Sequence, residues 1–275
     1  MAKKETEVAT LSPEQLAELN ASFPVGEESS RLSLPKFGML SKDITEETGT
    51  GKNKQIKVIQ AAGTFYTEKD LGEVNPETGK KQWTKTFIDG ETVDLQIVYF
   101  RHQLRMYDSS LAKFISTPVY DTPDQVLPLY LDKQVIKRGT EKELQALYPK
   151  LTLKGKPSSK LDKKTILYCI YEGELYQFEL SVSSGWEFSS YKKKVNPSTV
   201  VTTLSSTEEQ AGSNVYRKIN FNIARPISSE EFDMVKESQG TVMQQAEADS
   251  RFLLAGPTQA DEIDAEEVFE GYGKN

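Results

Sequence analysis

"TILYCIYEGELYQFELSV", residues 165–182, decides the fold. Two runs rich in β-branched and aromatic residues flank Glu172-Gly173. That arrangement predicts a β-hairpin with a tight Glu-Gly turn. The same texture recurs on both sides of it. "TVDLQIVYFRHQLRMYD" (92–108) is the longest candidate strand, with Val93, Leu95, Ile97 and Tyr99 at period two. Phe100 breaks the alternation and predicts a bulge or a bend before Leu104 and Met106 resume it. "KQIKVIQAAGTFYT" (54–67) is expected to pair with "WTKTFI" (83–88) across the turn "NPETGKKQ" (75–82). "LAKFISTPVY" (111–120) and "SNVYRKINFNIAR" (213–225) read as further strands, and "LKGKPSSKLDKK" (153–164) as a basic loop.

Helices are few. "SPEQLAELN" has Ser12 to cap, Pro13 at the first helical position and Gln15 to complete a capping box. Thr140 and Glu143 open a second helix within 139–150, and "SGWEFSSYKKKVNP" follows the hairpin as a short third. After Pro226 the texture changes. Ser228 and Glu231 form a capping box, and Phe232, Val235, Val242, Met243, Ala246 and Leu253 trace a helical stripe to about residue 252. Gly256-Pro257 stops it. The expected organisation is an N-terminal extension (1–30), a body (31–225), a C-terminal helix (226–256) and a flexible acidic tail (257–275). Many short strands and frequent turns predict a mainly β body: an OB-like antiparallel barrel with insertions, with a β-sandwich as the alternative.

The formal net charge is −7 over 275 residues, which alone argues against a nucleic-acid binder. Its distribution says something different. Residues 1–30 sum to −4, 31–225 to +6 with 29 Lys/Arg against 23 Asp/Glu, and 226–275 to −9. A weakly basic body lies between acidic ends. One cysteine, Cys169, allows no internal disulfide, and its apolar run predicts a buried thiol. No apolar run has the length of a membrane span, and the first residues lack a hydrophobic signal region. The expected location is the cytoplasm, or the host cytoplasm for a viral protein.

Catalytic chemistry has little to stand on. The single histidine, His102, leaves multi-His metal sites excluded, and its place in mid-strand predicts a structural or solvent-facing role. "GTGKNK" (49–54) fails the phosphate-loop pattern, because Glu46 and Asn53 stand where Gly and Ser/Thr are needed. A non-enzyme without cofactor or metal is expected.

Chemistry for single-stranded nucleic acid is present. It needs cations along the phosphates and flat rings under the bases. Trp83 lies among Lys81 and Lys85. Tyr107 ends a stripe of Arg101, Gln103 and Arg105 on the expected exposed face of its strand. Trp186 and Tyr191 precede Lys192, Lys193 and Lys194. A tryptophan placed like Trp83 more often serves the core, Trp186 more often anchors a short helix, and lysines in loops usually serve solvation. The recurrence of three aromatic–basic clusters inside the +6 body favours binding. The tail carries Asp261, Glu262, Asp264, Glu266, Glu267 and Phe269. Such a strip can compete for a basic groove and recruit partners when released, or act only as a solubilising end.

A basic β-rich body, the segment "ILYCIYEGELYQFELSVSSGWEFSSYKKK" and an acidic tail bearing aromatics resemble the single-stranded DNA-binding proteins of tailed bacteriophages. The likeness covers residues 31–275 and is one of architecture. It implies an OB fold, sequence-tolerant DNA binding, and partners in replication or recombination. The tail departs from the family pattern by continuing past Phe269 to "EGYGKN". Two other readings stay open: a virion or assembly protein whose sheets pack against copies of itself, and a mediator that anneals strands.

Overall fold

Glu172 and Gly173 both adopt positive φ, 50° and 78°, as a two-residue turn matched to the right-handed twist of its strands demands. The computed structural model describes residues 34–48, 54–76, 81–108, 113–131, 134–147, 152–153, 156–157 and 160–254. In chain order the strands begin with β1 (Lys36–Met39), β2 (Ile44–Thr48), β3 (Gln55–Gln60), β4 (Phe65–Val74) and β5 (Lys81–Phe87). They continue with β6 (Thr92–Asp108), β7 (Lys113–Ser116), β8 (Leu127–Leu131), β9 (Gln134–Gly139), β10 (Thr152–Leu153) and β11 (Lys156–Pro157). The last four are β12 (Asp162–Tyr171), β13 (Glu174–Leu180), β14 (Val200–Ala211) and β15 (Asn214–Pro226). The helices are α1 (Glu141–Leu147), α2 (Val182–Tyr191) and α3 (Ser229–Leu254). The N-terminal helix expected near Ser12 and the tail 257–275 lie outside the described residues.

The described chain divides into two units, one of residues 34–99 and 167–240, the other of 100–166 and 241–254. In the first, the strand order is β5-β4-β1-β13-β12-β6-β14-β15. β1 runs parallel to β13, and the pairs β1–β4 and β4–β5 are antiparallel, so the sheet is mixed. Phe37 anchors its core face, with ring centroids 5.2 Å from Phe178, 5.6 Å from Tyr171 and 6.0 Å from Phe65. α2 seats on β15 through Ser184, whose hydroxyl accepts the Ile219 N–H at 3.1 Å. In the second unit the order is β12-β6-β7-β8-β9. Leu104, Met106, Ile115, Tyr120, Leu127, Leu129 and Leu144 form its core.

The mainly β class expected from the sequence is observed. The closed OB-like barrel is not: the large mixed sheet has an open strand order with distinct first and last strands. Residues 54–67 are two strands and not one. Gly63 turns the chain between them at φ 90°, where a Cβ would collide with the Ser206 hydroxyl. β3 therefore pairs with β2, and β4 takes β5. The basic loop at 153–164 contains the short β10–β11 pair and the start of β12.

Both central capping boxes form. Thr140 N–H donates to Glu143 at 2.8 Å, and Ser228 N–H donates to Glu231 at 2.7 Å. The Arg225 guanidinium adds two 2.7 Å bonds to the Glu231 carboxylate. These hold the Glu231 carboxyl at about 2, well below its ordinary 4.5, with Arg225 the larger cause. A depressed carboxyl stabilises the fold above its ordinary pKa, and that stability is lost as pH falls toward the folded value. Glu231→Gln should lower stability at pH 7 by about 1 kcal/mol. It should also flatten the acid decline between pH 4.5 and about 2, read from urea midpoints against pH.

Candidate nucleic-acid interface

The first unit brings rings and ammonium groups together on the face opposite Phe37. Side chains alternate along a strand, so residues in register across strands share a face. Three rows result. In one, Trp83 of β5 stands opposite Asp70 of β4. In the next, Lys85, Glu68 and Lys36 align across β5, β4 and β1. In the third, Phe87, Tyr66 and Gly38 align. Neighbouring rows are two residues apart, roughly 7 Å.

The rows are tied to one another. Lys36 Nζ lies 4.5 Å from the Trp83 ring centroid, and Lys85 Nζ lies 4.5 Å from that of Tyr66. Both are cation–π distances. Tyr66 meets Phe87 edge-on at 6.3 Å. Gly38 is required here: a Cβ would collide with the Tyr66 ring, so only glycine lets that ring lie against the backbone. Glu68 Oε2 lies 3.7 Å from Lys36 Nζ and Glu68 Oε1 4.0 Å from Lys85 Nζ. The lysines are exposed, while Tyr66, Trp83 and Phe87 are partly exposed. Such a face can stack flat groups and bind anions between them. Lys81, expected beside Trp83, opens β5 opposite Val74.

The second unit carries a smaller platform on β6–β7. Tyr107 and Phe114 stand in register, 5.0 Å apart and both about half exposed. The Arg105 guanidinium lies 4.2 Å from the Phe114 ring. Leu104, Met106 and Ile115 fill the opposite face. Arg101 corrects the expected exposed stripe. It is 1 % exposed. Its Nε and Nη2 reach the Asp121 carboxylate at 3.2 Å each, and Nη1 reaches Asp249 at 2.7 Å. Nη2 also donates to the Val119 carbonyl. β6 is buried on both faces here, so period two no longer separates inside from outside. A guanidinium enclosed by two carboxylates is a structural brace. His102, beside it, is buried with Nδ1 3.5 Å from the Thr165 hydroxyl.

On α2 the expected cluster divides. Trp186 is 70 % exposed. Tyr191 is buried, its hydroxyl 2.8 Å from that of Thr202 and its ring 5.8 Å from Phe221. Burial raises its phenol pKa, and a ring so placed offers no face to a base. Lys193 and Lys194 are exposed and Lys192 partly so. Burial likewise raises the Cys169 thiol far above its ordinary range. Asp261, Glu262, Asp264, Glu266, Glu267 and Phe269 lie outside the described residues.

Sequence reasoning missed Lys36, Tyr66, Phe87 and Phe114. "PKFGM" (35–39) and "TFYTEK" (64–69) hold the first two in alternation, but only the β1–β4–β5 register joins them to Trp83. Among the described residues, no group of three or more His, Cys, Asp or Glu is placed to hold a metal. No helix among them is long and apolar enough to cross a membrane. Comparison with family models, curated proteins and solved structures gives no match.

Arg101→Met should destabilise the fold by about 3 kcal/mol in urea unfolding, because two carboxylates lose their buried cation. Arg105→Ala, at a partly exposed cation–π contact, should cost under about 1 kcal/mol.

Proposed function

We propose that this chain binds single-stranded DNA with little sequence preference and performs no catalysis on it. Bases stack on Trp83, Tyr66 and Phe87, and phosphates are met by Lys36 and Lys85. One observation carries the reading: a row with two ammonium groups lies between Trp83 on one side and Tyr66 with Phe87 on the other, on one face of a sheet. Single strands need that alternation, whereas duplexes keep their base faces hidden. The Arg105–Tyr107–Phe114 platform and Trp186 with Lys193 and Lys194 offer further contacts of the same chemistry. The acidic strip 261–270 supports a role in competing for these cations or in recruiting replication and recombination proteins.

A second reading, a virion or assembly protein, is favoured by a different feature. β2 and β3 pair only with each other among the described residues. Their ribbon exposes Ile56, Val58 and Ile59, with Ile56 at 70 %. Ribbons of that kind are marginal alone and gain from cover by another chain.

Adding oligo-dT should quench tryptophan fluorescence, and Trp83→Ala should weaken binding by about 1–3 kcal/mol. Replacing Lys36 and Lys85 together by Ala should reduce the slope of log K against log salt by roughly 0.7, because the phosphate the two lysines share then keeps its counterion. Unchanged fluorescence with no gel shift at low salt rejects the reading. Large salt-independent assemblies in light scattering would favour the second.

A further inference from the structure

Glu68 is out of place on a face that meets phosphates. It sits on the central strand of three, in register with Lys36 on one side and Lys85 on the other. Its two carboxylate oxygens are divided between them, Oε2 toward Lys36 and Oε1 toward Lys85. Its side chain is 19 % exposed against 56 % and 41 % for the lysines, so the carboxylate lies lower in the sheet face than its partners' ammonium groups. The two lysines also rest over rings, Lys36 over Trp83 and Lys85 over Tyr66. In the free protein Lys36, Lys85, Glu68, Trp83 and Tyr66 are therefore partnered within the strip. Ammonium groups cover the ring faces, and a carboxylate stands between the ammonium groups.

We infer that Glu68 occupies the place of a phosphodiester and acts as a built-in competitor for it. The inference rests on the reading given above and adds a register to it. One base lies on Tyr66 and Phe87, the next on Trp83, and the linking phosphate lies over the Lys85–Glu68–Lys36 row. Binding then exchanges partners. Each base displaces an ammonium group from its ring, and each ammonium group turns from Glu68 to the phosphate. Ion pairs this exposed are weak, so the exchange is accessible. Glu68 nevertheless remains a few ångströms from the arriving phosphate and repels it. Such a residue lowers affinity while leaving the stacking surface intact. It favours ligands that supply two bases along with the charge over simple anions, which gain nothing from the rings.

The test is Glu68→Gln in the full chain, which keeps shape and removes charge. Affinity for oligo-dT should rise about tenfold at low salt. Affinity for inorganic tripolyphosphate, read by thermal shift, should rise as well. Glu46→Gln on the β2 ribbon changes net charge equally and should leave both affinities alone. In a Lys36→Ala/Lys85→Ala background the gain from Glu68→Gln should shrink to the part due to direct repulsion of the phosphate by Glu68. Equal gains from Glu68→Gln and Glu46→Gln, or a gain undiminished by removal of both lysines, would reduce the effect to total charge and overturn the inference. No gain for either ligand would also overturn it. If tripolyphosphate affinity rises while neither wild type nor variant binds oligo-dT, the competitor role stands and the single-stranded DNA reading fails.

Discussion

Phe37 fixes which way the β1–β4–β5 face looks. Its ring packs among Phe65, Tyr171, Tyr176 and Phe178, and burying such a ring stabilises the fold by about 2–3 kcal/mol. Once Phe37 points inward, the pleat sends Lys36 outward and leaves Gly38 beneath Tyr66. Cross-strand register then carries the choice to Glu68 and Lys85, and to Tyr66 and Phe87. A slip of one residue would exchange the two faces, placing lysines in an aromatic core. The candidate interface is thus the reverse face of the strands that build the core.

Arg101 and Arg105 illustrate how burial divides residues of one type. They lie four residues apart on β6, on the same parity. Arg105 rests on Phe114 at a partly exposed surface. Arg101 is enclosed and neutralised by Asp121 and Asp249. Taking that guanidinium out of water carries a large desolvation cost, which only close carboxylates and the Val119 carbonyl can offset. The brace ties β6 to the last turns of α3 within the second unit. Trp186 and Tyr191 divide in the same way on α2, one facing solvent and one bonded to Thr202.

Local rules in the sequence identified much of the secondary structure. The Glu172-Gly173 hairpin, the capping boxes at Thr140 and Ser228, and a short helix around Trp186 each depend on neighbours close in the chain. That helix nevertheless begins at Val182 and ends at Tyr191, ahead of the lysines expected within it. The break at Gly63 was hidden because Ala61 and Ala62 continue an apolar run, and the close approach of Ser206 is a contact across the fold. Strand order was illegible for the same reason: a parallel pairing of β1 with β13 leaves no local mark. Of the proposed binding residues, Trp83 and Lys85 were legible from composition, as were Arg105 and Tyr107. Their partners Tyr66, Lys36 and Phe114 become visible only through register. Arg101 was misplaced because alternation predicts exposure only where one face of a strand is wet.

Rings and ammonium groups share one wet face, with a carboxylate between the cations, and the proposal is that their internal partners are traded for those of an unpaired strand. Ultraviolet crosslinking of oligo-dT to the full chain, with mass-spectrometric mapping of the attached peptides, locates the bound strand without any substitution. Crosslinks at Tyr66, Trp83 or Phe87 are the predicted result. Efficient crosslinking confined to peptides outside 65–87 would contradict the assignment of this face.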